Sequence, residues 1–199
     1  MNKILRIFLT GFVFPIFLFA CSTSGQSAIP TVNYATTAPN TPQVRSTPTA
    51  IPPGQAIAYK NLQVTLLQAE INSEYKTEFG AMRKPTNGGV FLWVEIALEN
   101  IGNGGGKLPA PEHFSLLYGT SEFKPGYAHR QDYSDYSTLN TNLYQGQKIQ
   151  AWFRFEIPAS ADMQNVTFAY LPDSVEISYS FPENGYDWAK HPIFLWRLP

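Results

Sequence analysis

The chain has very little cysteine: Cys21 is the only one among 199 residues. No disulfide can form within the chain, so a folded core has to be held by packing, and the cysteine is left for modification or for pairing with another molecule. Charged residues are also few, at 15%, and nearly balanced in sign. Such a chain lacks the basic surface that nucleic-acid binding requires, and we expect no nucleic-acid partner.

The patterns of familiar catalytic and metal sites are missing too. There is no Gly-x-Ser-x-Gly turn for a serine nucleophile and no cysteine–histidine arrangement for a thiol nucleophile. The three histidines stand apart, without the spacing of a zinc site: His113, His129 and His191. The acids Glu122, Asp132 and Asp135 match no calcium loop, and solvated loop acids explain them better. We therefore predict no catalytic residue, no metal and no cofactor, and a protein that is not an enzyme.

The N-terminus has the features of an export signal. Lys3 and Arg6 are followed by an apolar stretch over residues 7–20, and no acid is present. Fourteen residues are well short of the roughly 20 that a membrane-spanning helix needs. We predict a signal peptide over residues 1–20.

The signal ends in Leu-Phe-Ala-Cys at residues 18–21, which resembles the bacterial lipobox. The resemblance implies cleavage between Ala20 and Cys21 and a diacylglycerol on the cysteine sulfur. Lipid chains would then fix the protein to a bacterial membrane on its outer, extracytoplasmic side. An ordinary secretory signal or a short uncleaved anchor is the alternative.

A polar, proline-containing stretch follows the cysteine. Residues 22–53 contain seven threonines, four serines and six prolines, with a single charge at Arg45. This composition cannot bury enough apolar surface to fold. We predict that residues 21–53 carry the lipid and form a disordered tether, about 100 Å long if the prolines keep it extended.

Residues 54–182 have the pattern of an all-β domain. Apolar residues alternate with polar ones in short runs near residues 62–66, 90–98, 114–118, 149–157, 166–170 and 175–179. Asn and Gly separate the runs, as at Gly88, Gly119 and Gly146, and suit tight turns. Because an open sheet would leave an apolar face in water, we predict an immunoglobulin-like β-sandwich of about seven to nine strands.

The order of these signals resembles a known family. A Gly-Gly pair precedes a strand that ends in Glu99-Asn100, and the strand Phe114 to Leu117 follows a glycine-rich turn. Then comes Leu-Tyr-Gln-Gly-Gln at residues 143–147, before the strand that ends at Pro158. Over residues 56–179 this is similar to the telokin-like, immunoglobulin-like domain of bacterial lipoproteins called domain of unknown function 4352. Gln145 stands where that family usually has proline.

The resemblance implies an extracytoplasmic immunoglobulin-like sandwich and carries over no catalytic residue. Two surfaces of this chain are candidates for binding. The first is a loop over residues 126–144, where tyrosines alternate with small polar residues, a composition that makes binding surfaces at low entropic cost. Its candidate ligand-binding residues are Tyr127, Arg130, Tyr133, Tyr136 and Tyr144. Alternatively, some of these rings pack inward against the sandwich.

The second surface follows from strand parity. If Val90 to Leu98 face the core at every second position, the intervening aromatic side chains face outward and need cover or a partner. The predicted outer aromatic face comprises Phe91, Trp93, Trp152, Trp188 and Trp196. We expect residues 183–199, which are too apolar for a free tail, to pack on the sandwich and supply that cover.

The functional prediction is a membrane-anchored, non-enzymatic module that binds an envelope protein or a glycan. The alternative is a structural or accessory subunit of a membrane complex, with its aromatic C-terminal segment left available to the partner. An enzyme is the third and weakest reading.

The lipid anchor gives the first testable prediction. The mature protein is expected to begin at Cys21 and to carry diacylglycerol there, and globomycin should block its processing. Mass spectrometry of the mature N-terminus measures both features. Replacing the cysteine (Cys21→Ser) should release the protein from membranes, whereas an unmodified Cys21 in the wild-type chain would refute the anchor.

Overall fold

The computed structural model describes residues 48–86, 88–173 and 192–199. Twelve β-strands lie in these ranges, with three short 3₁₀ turns at Pro111–His113, Tyr136–Thr138 and Met163–Asn165. The strands are β1 (Ala56–Tyr59), β2 (Leu62–Asn72), β3 (Tyr75–Lys76), β4 (Met82–Arg83), β5 (Gly89–Asn100), β6 (Gly106–Lys107), β7 (Phe114–Tyr118), β8 (Ser121–Phe123), β9 (Asn142–Leu143), β10 (Lys148–Pro158), β11 (Val166–Tyr170) and β12 (Phe194–Arg197). None of the described residues belongs to a helix long and apolar enough to cross a membrane.

The strands form two four-stranded antiparallel sheets. The first sheet has the order β1-β2-β5-β10 and the second has the order β12-β11-β7-β8. Two further ribbons pair β3 with β4 and β6 with β9. The all-β sandwich prediction is confirmed, and the predicted strands at residues 114–118 and 166–170 match β7 and β11 at both ends. The predicted run at residues 175–179 lies outside the described residues.

The main core lies between the two sheets and follows the predicted alternation. On β5, Leu92, Val94 and Ile96 are fully buried in it. On β10, Phe153 and Phe155 face the same core. A period of two along each strand therefore places one set of side chains between the sheets and the other set on the outer face.

Aromatic rings fill much of this core. The ring of Phe114 lies 4.7 Å from that of Phe153 and 4.9 Å from that of Tyr170, measured between centroids. Tyr136 packs on the same ring at 5.5 Å, and its hydroxyl donates a 2.7 Å hydrogen bond to the carbonyl of Pro109. Packing of this kind holds a core without disulfides.

A β-bulge in β2 changes which side chains face outward. The register with β5 shifts between Leu66 and Gln68, so that Leu67 is an extra residue. Before the bulge, the even-numbered residue Val64 faces the core; after it, the odd-numbered Ala69 does. The bulge thereby turns Gln68, Glu70 and Asn72 to the outer face of the first sheet.

The C-terminal strand β12 completes the second sheet. It pairs antiparallel with β11, with Trp196 opposite Phe168. Trp196 is fully buried in the main core, and its indole N–H donates to the carbonyl of Gln55 at 3.0 Å. The prediction that Trp196 lies on an outer aromatic face is therefore corrected: in a strand of the second sheet its ring points between the sheets. Trp188 lies outside the described residues.

We expect Trp196 to be a major contributor to stability. Trp196→Ala should lower the free energy of unfolding by about 3–5 kcal/mol, because it empties a large core site and removes the donor to Gln55. Denaturant unfolding measures the loss. The neighbouring exposed side chain provides a control, since Arg197→Ala should change stability by less than about 0.5 kcal/mol. Equal effects of the two substitutions would contradict the placement of Trp196.

Candidate functional site

Three large aromatic side chains lie on the outer face of the first sheet, opposite the main core. Phe91 and Trp93 come from β5 and Trp152 from β10. All three are buried, because Tyr75, Ala128 and Tyr133 cover them. These six residues are called the outer cluster below. Among the described residues the cover comes from the β3–β4 hairpin and from the 126–136 loop. Residues 183–191 of the C-terminal segment that was expected to supply it lie outside the described residues, so that expectation stays a prediction.

Ring geometry shows close packing in the outer cluster. Tyr133 stacks on Trp152 with centroids 4.1 Å apart and meets the edge of Trp93 at 5.3 Å. Tyr75 makes edge contacts with Phe91 and Trp93, each at 5.0 Å. Such pairs add stabilisation beyond the area that they bury. Burial also raises the pKa of the Tyr133 hydroxyl, with the hydrogen bond to Glu70 as a further cause.

Arg130 fastens the loop to the sheet. Its guanidinium carbon lies 3.8 Å from the ring centroid of Tyr133 and 4.9 Å from that of Trp93. The same guanidinium donates to Glu70 and, at 2.8 Å, to the side-chain oxygen of Asn72. Both acceptors face outward only because of the bulge in β2, so the bulge positions the partners of Arg130.

The backbone of the loop runs along the free edge of β10. The N–H of Gly126 donates to the carbonyl of Arg154 at 2.7 Å, and the N–H of Trp152 donates to the carbonyl of Ser134 at 2.8 Å. On its other side the loop meets the hairpin, where the N–H of Glu78 donates to the carbonyl of His129 at 2.8 Å. These bonds satisfy backbone groups that an open edge strand would expose.

Asp135 closes the loop from within. Its carboxylate accepts the N–H of Ala128 at 2.6 Å and the N–H of Ser137 at 2.9 Å, the latter at the start of a 3₁₀ turn. The side chain is buried, with 6% of the residue exposed. Burial raises the pKa of the Asp135 carboxyl, although both backbone donors oppose the rise.

A cleft of about 420 Å³ lies between the hairpin and the loop. Its lining comprises Tyr75, Thr77, Phe79, Ala81, Arg83, Tyr127, Ala128, His129 and Arg154. At this cleft, called the hairpin cleft below, Phe79 is 79% exposed and Tyr127 is 58% exposed. Its size falls in the range of roughly 300–1,000 Å³ that is typical of small-molecule sites.

Polar contacts order the residues of the hairpin cleft. The hydroxyl of Tyr127 is hydrogen-bonded to Nε2 of His129, and Nδ1 of the same histidine lies 2.6 Å from Oε1 of Glu78. The guanidinium of Arg154 lies against Gly126, where a Cβ atom would come within 2.1 Å of Nη2. Glycine at position 126 therefore leaves the space that this guanidinium occupies.

The structure separates the predicted loop residues into four groups. Tyr127 lines the cleft, whereas Arg130 and Tyr133 belong to the cover of the outer cluster. Tyr136 is only 2% exposed and lies in the main core, so its assignment to a binding surface is corrected. Tyr144 is 63% exposed but packs beside Gly105, at the Asn100 end of β5.

The acids and histidines considered from the sequence do not converge. Glu122 accepts the hydroxyl of Ser115 and pairs with Lys124, each at 2.6 Å. Nδ1 of His113 lies 2.7 Å from the carbonyl of Leu171. Asp132 occupies a left-handed backbone position with φ of 68°, and His191 lies outside the described residues. Within residues 48–86, 88–173 and 192–199, no three or more His, Cys, Asp or Glu side chains are grouped to hold a metal ion.

A second cavity, of about 250 Å³, lies at the end of the sandwich near the β1–β2 turn and the β6–β9 ribbon. Two of its polar side chains are engaged with the protein: Lys60 pairs with Asp173 at 2.9 Å, and Asn100 donates to the carbonyl of Leu143 at 2.8 Å. Burial is the main cause that raises the pKa of Tyr170, another lining residue. The hairpin cleft combines exposed aromatic rings with cationic groups and is therefore the stronger candidate site.

Sequence reasoning missed the hairpin residues and the two cleft arginines. Tyr75, Phe79 and Arg83 lie in or beside two-residue strands, which are too short to show a period. One signal was available for the outer face: Leu66 and Leu67 are adjacent apolar residues that interrupt the alternation, as a bulge does.

The comparisons with known proteins agree with this architecture. A family model described as "Domain of unknown function (DUF4352)" matches residues 52–176. The yjhA protein from Bacillus subtilis has a similar solved structure, with a TM-score of 0.53, 17% identity, and coverage of 74% of this chain and 98% of that one. No curated protein matches the chain.

Two further solved structures are more distant. A candidate lipoprotein of B. subtilis, ycdA, has a TM-score of 0.47 and 12% identity, over 70% of this chain and 37% of that one. An uncharacterised β-sandwich protein from Clostridium difficile has a TM-score of 0.42 and 9% identity, over 65% of this chain and 93% of that one. At such identities the likeness concerns the fold alone.

The buried carboxyl of Asp135 predicts a specific pH dependence. Because its pKa is raised above the ordinary value of 3.8, the folded state holds the proton more tightly than the unfolded state. This group therefore lowers the free energy of unfolding as the pH rises from about 3.8 through the raised pKa. The substitution Asp135→Asn should remove that component, and the wild-type chain should lose stability relative to the variant over this range.

Denaturant unfolding between pH 3.5 and about 7 measures the difference. Parallel pH profiles for the two proteins would contradict the assignment. Asp135→Ala should cost about 1–3 kcal/mol, since two buried N–H groups lose their acceptor.

Proposed function

We propose that this chain, which belongs to the DUF4352 family, is an exported lipoprotein whose sandwich binds a component of the cell envelope through the hairpin cleft and its rim. The family itself is one of unknown function, and its β-sandwich relatives supply no activity. The proposal therefore depends on the site.

The observation that carries it is the pair of exposed rings at an ordered cleft. Phe79 and Tyr127 are largely exposed, yet the backbone next to each is held by hydrogen bonds. The N–H of Glu78 donates to the carbonyl of His129, and the N–H groups that flank Tyr127 donate to the carbonyl of Arg154 and to the carboxylate of Asp135. Rigid exposed aromatics bind partners at low conformational cost. The lipid and the tether predicted from the sequence would present this surface at a distance from the membrane.

The packing of β12 bears on the alternative of an accessory subunit. That reading requires an aromatic C-terminal segment that is available to a partner. Trp196 is enclosed in the core and Phe194 pairs with Tyr170 across the sheet, so these two residues are already used within the domain. The cleft is thus the better supported binding surface.

Co-sedimentation of the full chain with isolated envelope fragments tests the proposal. The double substitution Phe79→Ser with Tyr127→Ser should weaken binding about thirtyfold, because two exposed aromatic anchors of about 1 kcal/mol each contribute about 2 kcal/mol together. Melting temperature should change little, since both side chains lie at the surface.

Tyr144→Ser is the matched control. It removes a similarly exposed tyrosine that lies beside Gly105 and does not line the hairpin cleft, and it should leave binding unchanged. Protease treatment of the fragments distinguishes a protein component from a glycan. Equal losses for the control and the double variant would contradict the proposal.

A further inference from the structure

We propose that the hairpin cleft binds an anionic saccharide, whose carboxylate or phosphate contacts Arg83 and Arg154 and whose sugar ring lies against Phe79 and Tyr127. This inference rests on the binding function proposed above and names the chemistry of the ligand.

The charge of the lining favours an anion. The nine lining residues include two arginines and a histidine but no aspartate or glutamate. The two nearest acids already have hydrogen-bond partners: Glu78 contacts His129, and Glu156, on which the charge of Arg154 also acts, accepts from both the N–H and the hydroxyl of Thr86. The cleft therefore presents positive charge in a partly enclosed space, where charge complementarity selects the ligand.

Arg154 makes no ion pair within 4 Å among the described residues. Its guanidinium carbon lies 5.3 Å from the ring centroid of Phe91, and its Nη2 lies against Gly126. Its Nε is buried and has no hydrogen-bond partner in the described part of the chain, so the terminal nitrogens are the ones that a ligand can reach. These nitrogens are donors that suit a carboxylate or a phosphate.

Arg83 approaches the cleft from the other side. It lies on β4, opposite Tyr75, and is exposed. The ion pairs of the described residues do not include it, whereas the adjacent Lys84 pairs with Glu74 at 3.6 Å. Two arginines from separate elements thus line one cleft.

The exposed rings favour a sugar over other anions. The ring of His129 lies between those of Phe79 and Tyr127, at 5.4 Å and 4.5 Å. This apolar rim suits the C–H face of a pyranose ring, and the remaining donors suit its hydroxyl groups. An acidic peptide would use the arginines but would leave the rings without a matching surface.

Calorimetric titration of the full chain, purified from membranes in a neutral detergent, tests the inference with four probes. Trigalacturonate supplies carboxylates on sugar rings, glucose 6-phosphate supplies a sugar phosphate, maltotriose is neutral, and triglutamate is an acidic peptide. We expect at least one of the two anionic sugars to bind about tenfold or more tightly than maltotriose, and the preferred one identifies the anion. Affinity should fall as salt is raised.

Three variants connect binding to the cleft. Arg83→Gln should weaken binding of the preferred sugar about tenfold through loss of a charge-assisted contact. Gly126→Ala should weaken it as well, because the added methyl group displaces the flexible end of Arg154 while the charge is kept. Lys84→Gln, which removes the same charge one residue away, is the control and should bind as the wild type does. Melting curves verify that all three variants are folded.

The outcomes separate this inference from the proposed function. Failure of both anionic sugars to bind, with envelope co-sedimentation still dependent on Phe79 and Tyr127, would overturn the saccharide and leave the binding function. Loss of both would overturn both. Triglutamate binding as tightly as the sugar acids, or Lys84→Gln weakening binding as much as Arg83→Gln, would also overturn the saccharide assignment.

Discussion

The central strand β5 of the first sheet carries large apolar side chains on both of its faces, and the edge strand β10 adds Trp152 to the outer one. In β5, Leu92 and Val94 face the second sheet, while Phe91 and Trp93 face the opposite way. A sandwich covers only one of these faces, and water on the other would oppose folding. The loop over residues 126–136 and the β3–β4 hairpin cover this outer face. The hairpin cleft lies where the two meet.

Polar interactions decide where the cover sits. The apolar contacts of Tyr133 and Ala128 favour burial of the loop against the sheet, but they do not fix its orientation there. Arg130 fixes the orientation of the loop, because its guanidinium lies over two rings and donates hydrogen bonds to Glu70 and Asn72 of β2. Asp135 connects two parts of the loop, because its carboxylate accepts the N–H groups of Ala128 and Ser137. These contacts are buried or partly buried, so removal of one partner takes hydrogen bonds from the others and the members of the network depend on one another.

The fold class could be predicted from the sequence because two of its longest strands keep an apolar residue at every second position. This holds without interruption over residues 90–98 and 149–157, and both runs lie inside strands of the sandwich. Parity along the same runs also places Phe91 and Trp93 on the outer face.

The position of Trp196 could not be predicted, because the sheet that a C-terminal strand joins depends on long-range pairing, and the same residues would suit an outer cover or the core. Tyr136 is similar: a loop tyrosine turned inward depends on its distant acceptor, the carbonyl of Pro109. The cleft was beyond sequence reasoning, since Arg83, Tyr127 and Arg154 come from three separate segments.

The 126–136 loop is a fixed part of the sandwich that Arg130 holds in place, and amide hydrogen exchange at Ala128 can test this. The N–H of Ala128 is bonded to buried Asp135, and that of Trp152 to the loop carbonyl of Ser134. Both should be strongly protected in the wild type. In Arg130→Ala, exchange at these two sites should become faster, while protection of the amides of β5 should stay unchanged. Exchange at Ala128 as rapid as in an unstructured peptide in the wild-type protein would contradict the fixed placement of the loop.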